Sequence, residues 1–271
     1  MRAETAVNKD TAFGAGIQER FNLEPGTLHL NHGSYGAVPK MVRAAEAGWR
    51  DRLEANPTRF FADELRPALR AAAMVVASEL GGRGEDWVFV ENATAAINAV
   101  VASLRLAPGD ELLTTGHVYG AVRNTLNHHA ARAGARVVEV TLPVPATNGE
   151  AVIDAVGRAL SPRTVFAIFD HVTSASATLL PVAELAHLCR QVPVPVMIDG
   201  AHAPGMLALD GPKLGVDWYT GNAHKWLFAP RGAGLLWTAP GRQAMTHPTV
   251  ISHGLGQGYV AEFDHTGTRD P

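Results

Sequence analysis

The sequence predicts an α/β fold in which a mostly parallel sheet of about seven strands is covered by helices on both faces. Two observations support this prediction. From Trp87 to Trp237, short apolar runs alternate with stretches of helical periodicity, which is typical of parallel strands that are connected by helices. One apolar run ends directly in an acidic residue, Asp199, as is typical where the carboxyl ends of such strands face a ligand.

The predicted strands are short and apolar. They cover residues 87–90, 111–115, 137–140, 165–169, 194–198 and 232–237, and the last strand allows an antiparallel direction. A further apolar run at 216–219 lies just before the stretch in which we place the functional site.

Helices are predicted between these strands at about 94–104, 150–160 and 182–190. Another helix is predicted after the strand at 111–115 and ends at about residue 133. Ahead of the sheet, Pro39 suits the first turn of a helix that runs to about residue 54, and Pro57 prevents this helix from continuing. A second helix at 63–80 is stopped by Gly81 and Gly82. A short helix near 16–22 falls in an N-terminal arm.

The composition is that of an ordinary soluble globular protein. The 271 residues are 46% hydrophobic and 18% charged, with a net charge of −3, so no bias toward nucleic acid appears. No apolar run in the sequence has the length of a membrane span. The single cysteine, Cys189, excludes a disulfide within the chain and a thiol-based metal cluster, and we expect no metal site. The polar start lacks a signal-peptide pattern, so the cytoplasm is the expected compartment.

Lys225 is the residue that points most directly to a chemistry. It lies between His224 and Trp226, and poor solvation there would favour a neutral, nucleophilic amine. Such an amine can bond to an aldehyde, and a carboxylate such as Asp199 can keep a pyridine nitrogen protonated. The pair therefore predicts pyridoxal phosphate (PLP) as cofactor. A surface lysine and a helix-capping aspartate are the alternative interpretations.

Five ordered motifs carry a family resemblance: LNHGSYG at 30–36, ENAT at 91–94, DGAH at 199–202, GNAHKW at 221–226 and GTRD at 267–270. In these motifs the chain resembles the class V aminotransferase group of fold-type I PLP-dependent transferases, on the branch with isopenicillin-N epimerase and related C–S lyases. The resemblance implies an N-terminal arm at 1–30, a PLP-binding large domain at 31–255 and the start of a small C-terminal domain at 256–271, with the rest of that domain absent. It also implies a homodimer with shared active sites.

The resemblance implies roles for individual residues around the cofactor. Tyr119 would stack on the pyridine ring, with His117 as the competing candidate. The other cofactor contacts are Ala93, Thr94, Asn222 and His224 at the phosphate, Ser174 and His202 near the phenolic oxygen, and Thr268 at the phosphate of the neighbouring subunit. The phosphate assignment also follows from the residues themselves, because ENAT follows a strand and opens a helix, where free N–H groups attract anions.

Residues near the substrate follow from the same resemblance. His32 and Ser34 lie in the loop that approaches the substrate in relatives, and Arg269 is expected to bind substrate or stabilise the domain junction. The predicted activity is PLP-dependent chemistry at Cα of an amino acid or a similar small molecule, with epimerase-like chemistry first. A C–S lyase or desulfurase-like reaction and an aminotransferase reaction are the alternatives. A silent cofactor-binding fragment is the alternative from another class.

Overall fold

A computed structural model describes residues 15–142 and 149–267 of the chain. Within these residues one sheet contains seven strands. Their bounds are β1 Trp87–Val90, β2 Glu111–Thr115, β3 Arg136–Val140, β4 Thr164–Asp170, β5 Val196–Gly200, β6 Trp218–Asn222 and β7 Gly234–Thr238. The order across the sheet is β1-β7-β6-β5-β4-β2-β3.

The central strands are parallel and in register at their carboxyl ends. Asp170 on β4 pairs with Asp199 on β5, and Asp199 pairs with Thr220 on β6. Strand β7 runs antiparallel to both of its neighbours, β1 and β6. The ends of three parallel strands therefore meet at one edge of the sheet, where α/β proteins place their ligands.

The helices of the described chain connect and cover these strands. Their bounds are α1 Ala15–Gln18, α2 Lys40–Ala55, α3 Pro57–Arg59, α4 Leu65–Leu80, α5 Ala93–Ser103, α6 Gly120–Ala133, α7 Gly149–Ala159, α8 Val182–Arg190 and α9 Tyr259–Asp264. A π-helical turn, Phe60–Glu64, links α3 to α4. No helix in the described part of the chain is long and apolar enough to cross a membrane.

Two buried clusters cover the two faces of the sheet, because successive strand residues point to opposite sides. Ile198 and Tyr219 belong to the cluster under α7 and α8. Met197 and Trp218, their chain neighbours, belong to the cluster under α5 and α6. The predicted α/β fold, with helices on both faces of a mostly parallel sheet, is confirmed.

The element boundaries differ from the predictions in a few places, each with a local cause. Strand β5 begins at Val196 and continues to Gly200, two residues later than predicted. It begins there because Pro195 has no N–H to donate to a sheet. Strand β7 begins at Gly234 rather than 232, since Gly232 has a positive φ of 86° and lies in a turn. Helix α1 ends at Gln18, earlier than the predicted residue 22.

The residues after 255 continue the same packing as far as the described chain reaches. Tyr259 and Phe263 of α9 are buried in the cluster that also holds Val88 of β1. The Oη of Tyr259 lies 2.9 Å from Oγ1 of Thr238, the last residue of β7. The division of the chain at residue 255 stays a prediction.

Candidate active site

Lys225 lies in a tight turn between β6 and β7. Its N–H donates to the carbonyl of Asn222 over 3.3 Å, and its carbonyl accepts the N–H of Phe228 over 3.1 Å. Phe228 closes the turn at a positive φ of 59°. Burial lowers the pKa of Lys225, and the charge of Asp199 opposes that shift. The sequence predicted this lowered pKa, which makes a neutral amine accessible for bonding.

His202 contacts the amine of Lys225 directly. Its Nε2 lies 3.1 Å from Nζ of Lys225. Burial lowers the pKa of His202 to about 4, and the lysine charge adds to the effect. The imidazole is therefore neutral at neutral pH, and Nε2 can accept a hydrogen bond from the lysine.

Asp199 is a buried carboxyl at the end of β5. Its Oδ1 accepts the N–H of Ala201 over 3.0 Å, and the side chain is 5% exposed. Burial raises its pKa, whereas the Ala201 N–H and the charge of Lys225 lower it. A buried carboxyl with so few partners is suited to receive a cation from a ligand.

The N-terminus of α5 forms a polar end of the site. Oδ1 of Asn222 accepts the N–H of Ala93 over 2.8 Å, and Oδ1 of Asn92 accepts the N–H of Ala95 over 2.9 Å. The N–H of Thr94, between them, is used by neither side chain. Thr94 therefore offers an N–H and a hydroxyl to an anion at the positive end of an eleven-residue helix.

His224 lies beside this end of the site. Its Nδ1 lies 3.1 Å from the carbonyl oxygen of Ala233 and donates to it. Burial lowers the pKa of His224, so Nε2 carries a lone pair in the neutral ring. A bound phosphate would favour the protonated form, in which Nε2 becomes a donor.

The loop at 31–36 packs against the lysine turn, and two of its glycines leave no room for a side chain. A Cβ on Gly33 would lie 3.1 Å from the ring of His202, and a Cβ on Gly36 would meet the carbonyl of His224. His32 donates from Nε2 to the carbonyl of Lys225 over 2.8 Å and accepts the N–H of Ala37 at Nδ1. Both nitrogens of His32 therefore support the loop, whereas Ser34 lines the cavity.

Tyr119 and His117 both follow β2 but have different surroundings. Tyr119 is 48% exposed and lines the cavity that also contains Lys225, so its ring is accessible to a ligand. His117 instead contacts Oγ of Ser176 through Nδ1 over 3.1 Å and lines a neighbouring cavity. Tyr119 and Ser174 line both cavities. This placement favours Tyr119 over His117 as the stacking residue.

These residues surround a cavity of about 490 Å³ at the carboxyl edge of the sheet. The predicted residues in its lining are Ser34, Ala93, Thr94, Tyr119, Ser174, Asp199, His202, Asn222, His224 and Lys225. His32 lies outside this lining. Thr268 and Arg269 lie outside the described residues. Among the described residues, no group of three or more acidic, histidine or cysteine side chains could hold a metal ion.

Asp170 lines the same cavity and was missed in the sequence. It is 3% exposed, and its Oδ2 has no hydrogen-bond partner. Burial and the charge of Asp199 raise its pKa to about 8. The signal for this residue was present, because the apolar run at 165–169 ends in an acid in the same way as the run before Asp199.

One family model matches the part of the chain that contains the sheet and the lysine turn. Residues 38–260 match the model of aminotransferase class V. The chain belongs to the class V aminotransferase family. The family is PLP-dependent, and the match covers most of the chain, including the lysine turn.

The curated relatives of this class V chain include proteins named as epimerases and proteins named as desulfhydrases. The chain is 36% identical to isopenicillin N epimerase of Streptomyces clavuligerus, over 92% of this chain and 64% of that protein. It is 31% identical to L-cysteine desulfhydrase of Arabidopsis thaliana, over 91% of this chain and 58% of that protein. The chain spans little more than half the length of several of its curated relatives.

Solved structures share the fold. The cystine C–S lyase C-DES in complex with cysteine persulfide superposes with a TM-score of 0.79 and 24% identity, over 89% of this chain and 67% of that one. A second C-DES structure, with glycine covalently linked to its PLP cofactor, gives a TM-score of 0.81 at 24% identity, over 93% of this chain and 69% of that one.

The residues of the cavity fit three functional groups of PLP. A buried amine, Lys225, suits the aldehyde, and the buried Asp199 suits a protonated ring nitrogen. The start of α5 with Thr94 suits the phosphate. The buried carboxyl of Asp199 weighs most among these observations, because a protonated ring nitrogen would give it a second cationic partner beside Lys225.

Proposed function

We propose that the protein of which this chain is part is a PLP-dependent enzyme that removes the Cα proton of an amino acid or a similar amine. The contact between Lys225 and His202 in the cavity supports this proposal, because it places a neutral imidazole beside an amine of lowered pKa. When bound, PLP supplies an electron sink that makes a proton on Cα removable. The side chains of this chain then have to bind and orient the substrate and move the proton.

Lys225 is the proposed proton acceptor. Its amine has a lowered pKa because it is buried, and a base works best when its pKa is near the working pH. His202 accepts a hydrogen bond from the amine and fixes its direction. With PLP bound, Asp199 would keep the ring nitrogen protonated, and Tyr119 would stack on the ring.

Elimination of sulfur from Cβ is the first of three candidate reactions. It breaks the Cα–H and Cβ–S bonds and forms a Cα=Cβ double bond. One base, Lys225, suffices to take the Cα proton, and the sulfur leaves with the electrons of the Cβ–S bond as a thiol, sulfide or persulfide. The described lining of the cavity includes one amine, Lys225, and the histidine nearest to it, His202, is already bonded to that amine. The name of the desulfhydrase relative agrees with this reaction.

Epimerisation at Cα is the second candidate, and it requires a second proton-transfer group on the opposite face of the substrate. His32 does not line the cavity, and His117 lines the neighbouring one. Tyr119 lines the cavity and is exposed, and in this candidate reaction it would transfer the proton instead of stacking on the ring. This residue and the name of the epimerase relative support the second candidate. Simple transamination is the third.

Covalent cofactor attachment is the first experiment. Incubation with PLP should produce visible absorbance, and borohydride should remove the absorbance and fix the label on Lys225, as located by peptide mass spectrometry. Lys225→Ala should lose the fixed label, with an unchanged far-UV circular dichroism spectrum because the sheet core is intact. A label on another lysine would refute the role of Lys225.

Isotope exchange separates the candidate reactions. Amino acids are incubated in deuterated water with PLP and with a protein that contains this chain and has the full length of its curated relatives. Release of sulfide from cysteine, or of cysteine persulfide from cystine, indicates elimination, and inversion at Cα with deuterium uptake indicates epimerisation. Uptake with retained configuration and no sulfide indicates transamination. Absence of exchange with every amino acid would contradict the proposed function.

A further inference from the structure

Asp170 and Asp199 form a pair of buried carboxyls at the ends of neighbouring parallel strands. They are register partners on β4 and β5, and paired residues of parallel strands point to the same face. Both line the cavity, and they are 3% and 5% exposed. Two carboxylates this close and this poorly solvated cannot both ionise cheaply, since each repels the other and each loses hydration.

The surroundings of the two carboxyls differ, and the difference decides which one carries the charge. Asp199 faces the charge of Lys225 and accepts the Ala201 N–H, and both favour its ionised form. Asp170 faces Arg123, the backbone N–H of Tyr119 and its own N–H, but these groups are outweighed by burial and by Asp199. Asp170 also has an oxygen, Oδ2, that is inaccessible and has no hydrogen-bond partner. An unpartnered oxygen is far less costly in a neutral carboxyl than in an anion.

We propose that Asp170 is a positioning residue of the cofactor site that holds a single proton against Asp199, so that Asp199 alone is the anion available to a cationic ring. The proposal rests on the proposed function for its reference to a ring. The pair of carboxyls and their shared proton are properties of the chain itself.

The stability of the cofactor-free protein tests the shared proton. Between pH 3.8 and about 8, native Asp170 binds a proton that its unfolded form releases, so its contribution to stability falls as pH rises through that window. Asn is neutral at every pH and has the same shape. Asp170→Asn should therefore raise the melting temperature by about 3 °C or more at pH 8. The gain should grow from pH 5 to pH 8 and level off above it.

A gain that does not change with pH, or a lower melting temperature at pH 8, would overturn the proposal. Asp86→Asn is the matched control. Asp86 is also a buried carboxyl at 3% exposure, but both of its oxygens are bonded to Arg83, and Gln243 donates to one of them. Its replacement should lower the melting temperature, because a charge-assisted pair is lost.

The Asp199→Asn background tests the coupling between the two carboxyls. Removal of the charge of Asp199 removes the repulsion that helps to keep Asp170 protonated. The gain from Asp170→Asn should then be smaller, and its upper limit should move below pH 8. Equal gains with the same limit in both backgrounds would mean that the carboxyls are independent, which would also overturn the proposal.

Cofactor loading tests which carboxyl faces the ring. At pH 7, Asp170→Asn should keep the visible absorbance of lysine-bound PLP, because Asn resembles the protonated acid, whereas Asp199→Asn should weaken it. Equal weakening in both variants would overturn the assigned roles. Failure of the unmodified chain to bind PLP would refute the proposed function. The melting experiment on the cofactor-free protein would still decide whether the proton is shared.

Discussion

At the scale of single residues, the candidate site depends on the balance between burial and charge at Lys225. Burial lowers the pKa of Lys225, and the charge of Asp199 raises it. The same carboxyl is needed for the ring nitrogen, so cofactor binding engages the group that otherwise holds the lysine charged. We therefore expect the ring and the lysine to compete for Asp199.

Asp199→Asn should make the amine of Lys225 more reactive in the cofactor-free protein, because its charged form loses its partner. Labelling with trinitrobenzenesulfonate at several pH values, read at the Lys225 peptide by mass spectrometry, should reach its half-maximum at a lower pH than in the unmodified chain. Lys213, which pairs with Asp210 over 2.7 Å, is the internal control and should be labelled equally in both proteins. An unchanged profile for Lys225 would contradict the expected balance.

Gly200 tests how closely the strand end is packed. A Cβ at this position would collide with the hydroxyl of Tyr219, which is fully buried and 3.0 Å from Nδ1 of His171. Gly200→Ala should therefore cost about 1–3 kcal/mol of unfolding free energy in urea titrations. Gly241→Ala is the control, because a Cβ there meets no atom within 4 Å, and it should change stability by about 0.5 kcal/mol or less. Equal effects of the two substitutions would contradict this packing.

At the scale of elements, Glu111 connects the starts of three neighbouring strands. Its buried carboxylate accepts hydrogen bonds from Arg136 at the start of β3 over 2.6 Å and from Arg163, just before β4, over 2.8 Å. Ser161 donates over 2.7 Å. These donors lower the pKa of Glu111 to about 2 from 4.5. The pair of arginines is more than 60% exposed, so solvent weakens each ion pair.

Glu111→Gln should lower the free energy of unfolding by about 1 kcal/mol at pH 7, since charge-assisted bonds become neutral ones and solvent screens the arginines. A lowered pKa stabilises the fold above the unfolded value, so the difference from the unmodified protein should be full above pH 4.5. It should shrink as pH falls toward about 2. Urea unfolding at several pH values measures it. Glu79→Gln, an exposed change on α4, should have no such pH dependence.

The elements were largely predictable because their signals are local. Helix α8 has the predicted bounds, 182–190, and the strand at 87–90 was also predicted to the residue. The order of strands was not predictable, because the pairing of β1 with β7 joins segments more than a hundred residues apart. Lys225 and Asp199 were found from their flanking residues. Asp170 was not, although the apolar run before it also ends in an acid, because only its register with Asp199 shows that the two carboxyls belong to one site.

At the scale of the whole molecule, the segment 28–41 presents four exposed apolar side chains on its surface. Leu28, Leu30, Tyr35 and Met41 are each more than 70% exposed. Tyr35 also lines the cavity, so part of this surface borders the site. Exposed apolar groups in one segment favour association in water, and the family resemblance implies a dimer whose subunits share their sites.

The last prediction is that the chain associates through this surface. Sedimentation velocity over a wide concentration range should show a species that grows with concentration, because each contact removes apolar area from water. The double substitution Leu28→Ser and Leu30→Ser should shift the protein toward the monomer. The double substitution Val250→Ser and Ile251→Ser is the matched control, since these two adjacent residues are also apolar and are each 54% exposed. If both double variants behave alike, association does not depend on the 28–41 segment. If the unmodified chain is a monomer at every concentration, each cavity must bind its cofactor with the residues of one chain, and the proposed dimer with shared sites would be wrong for this chain.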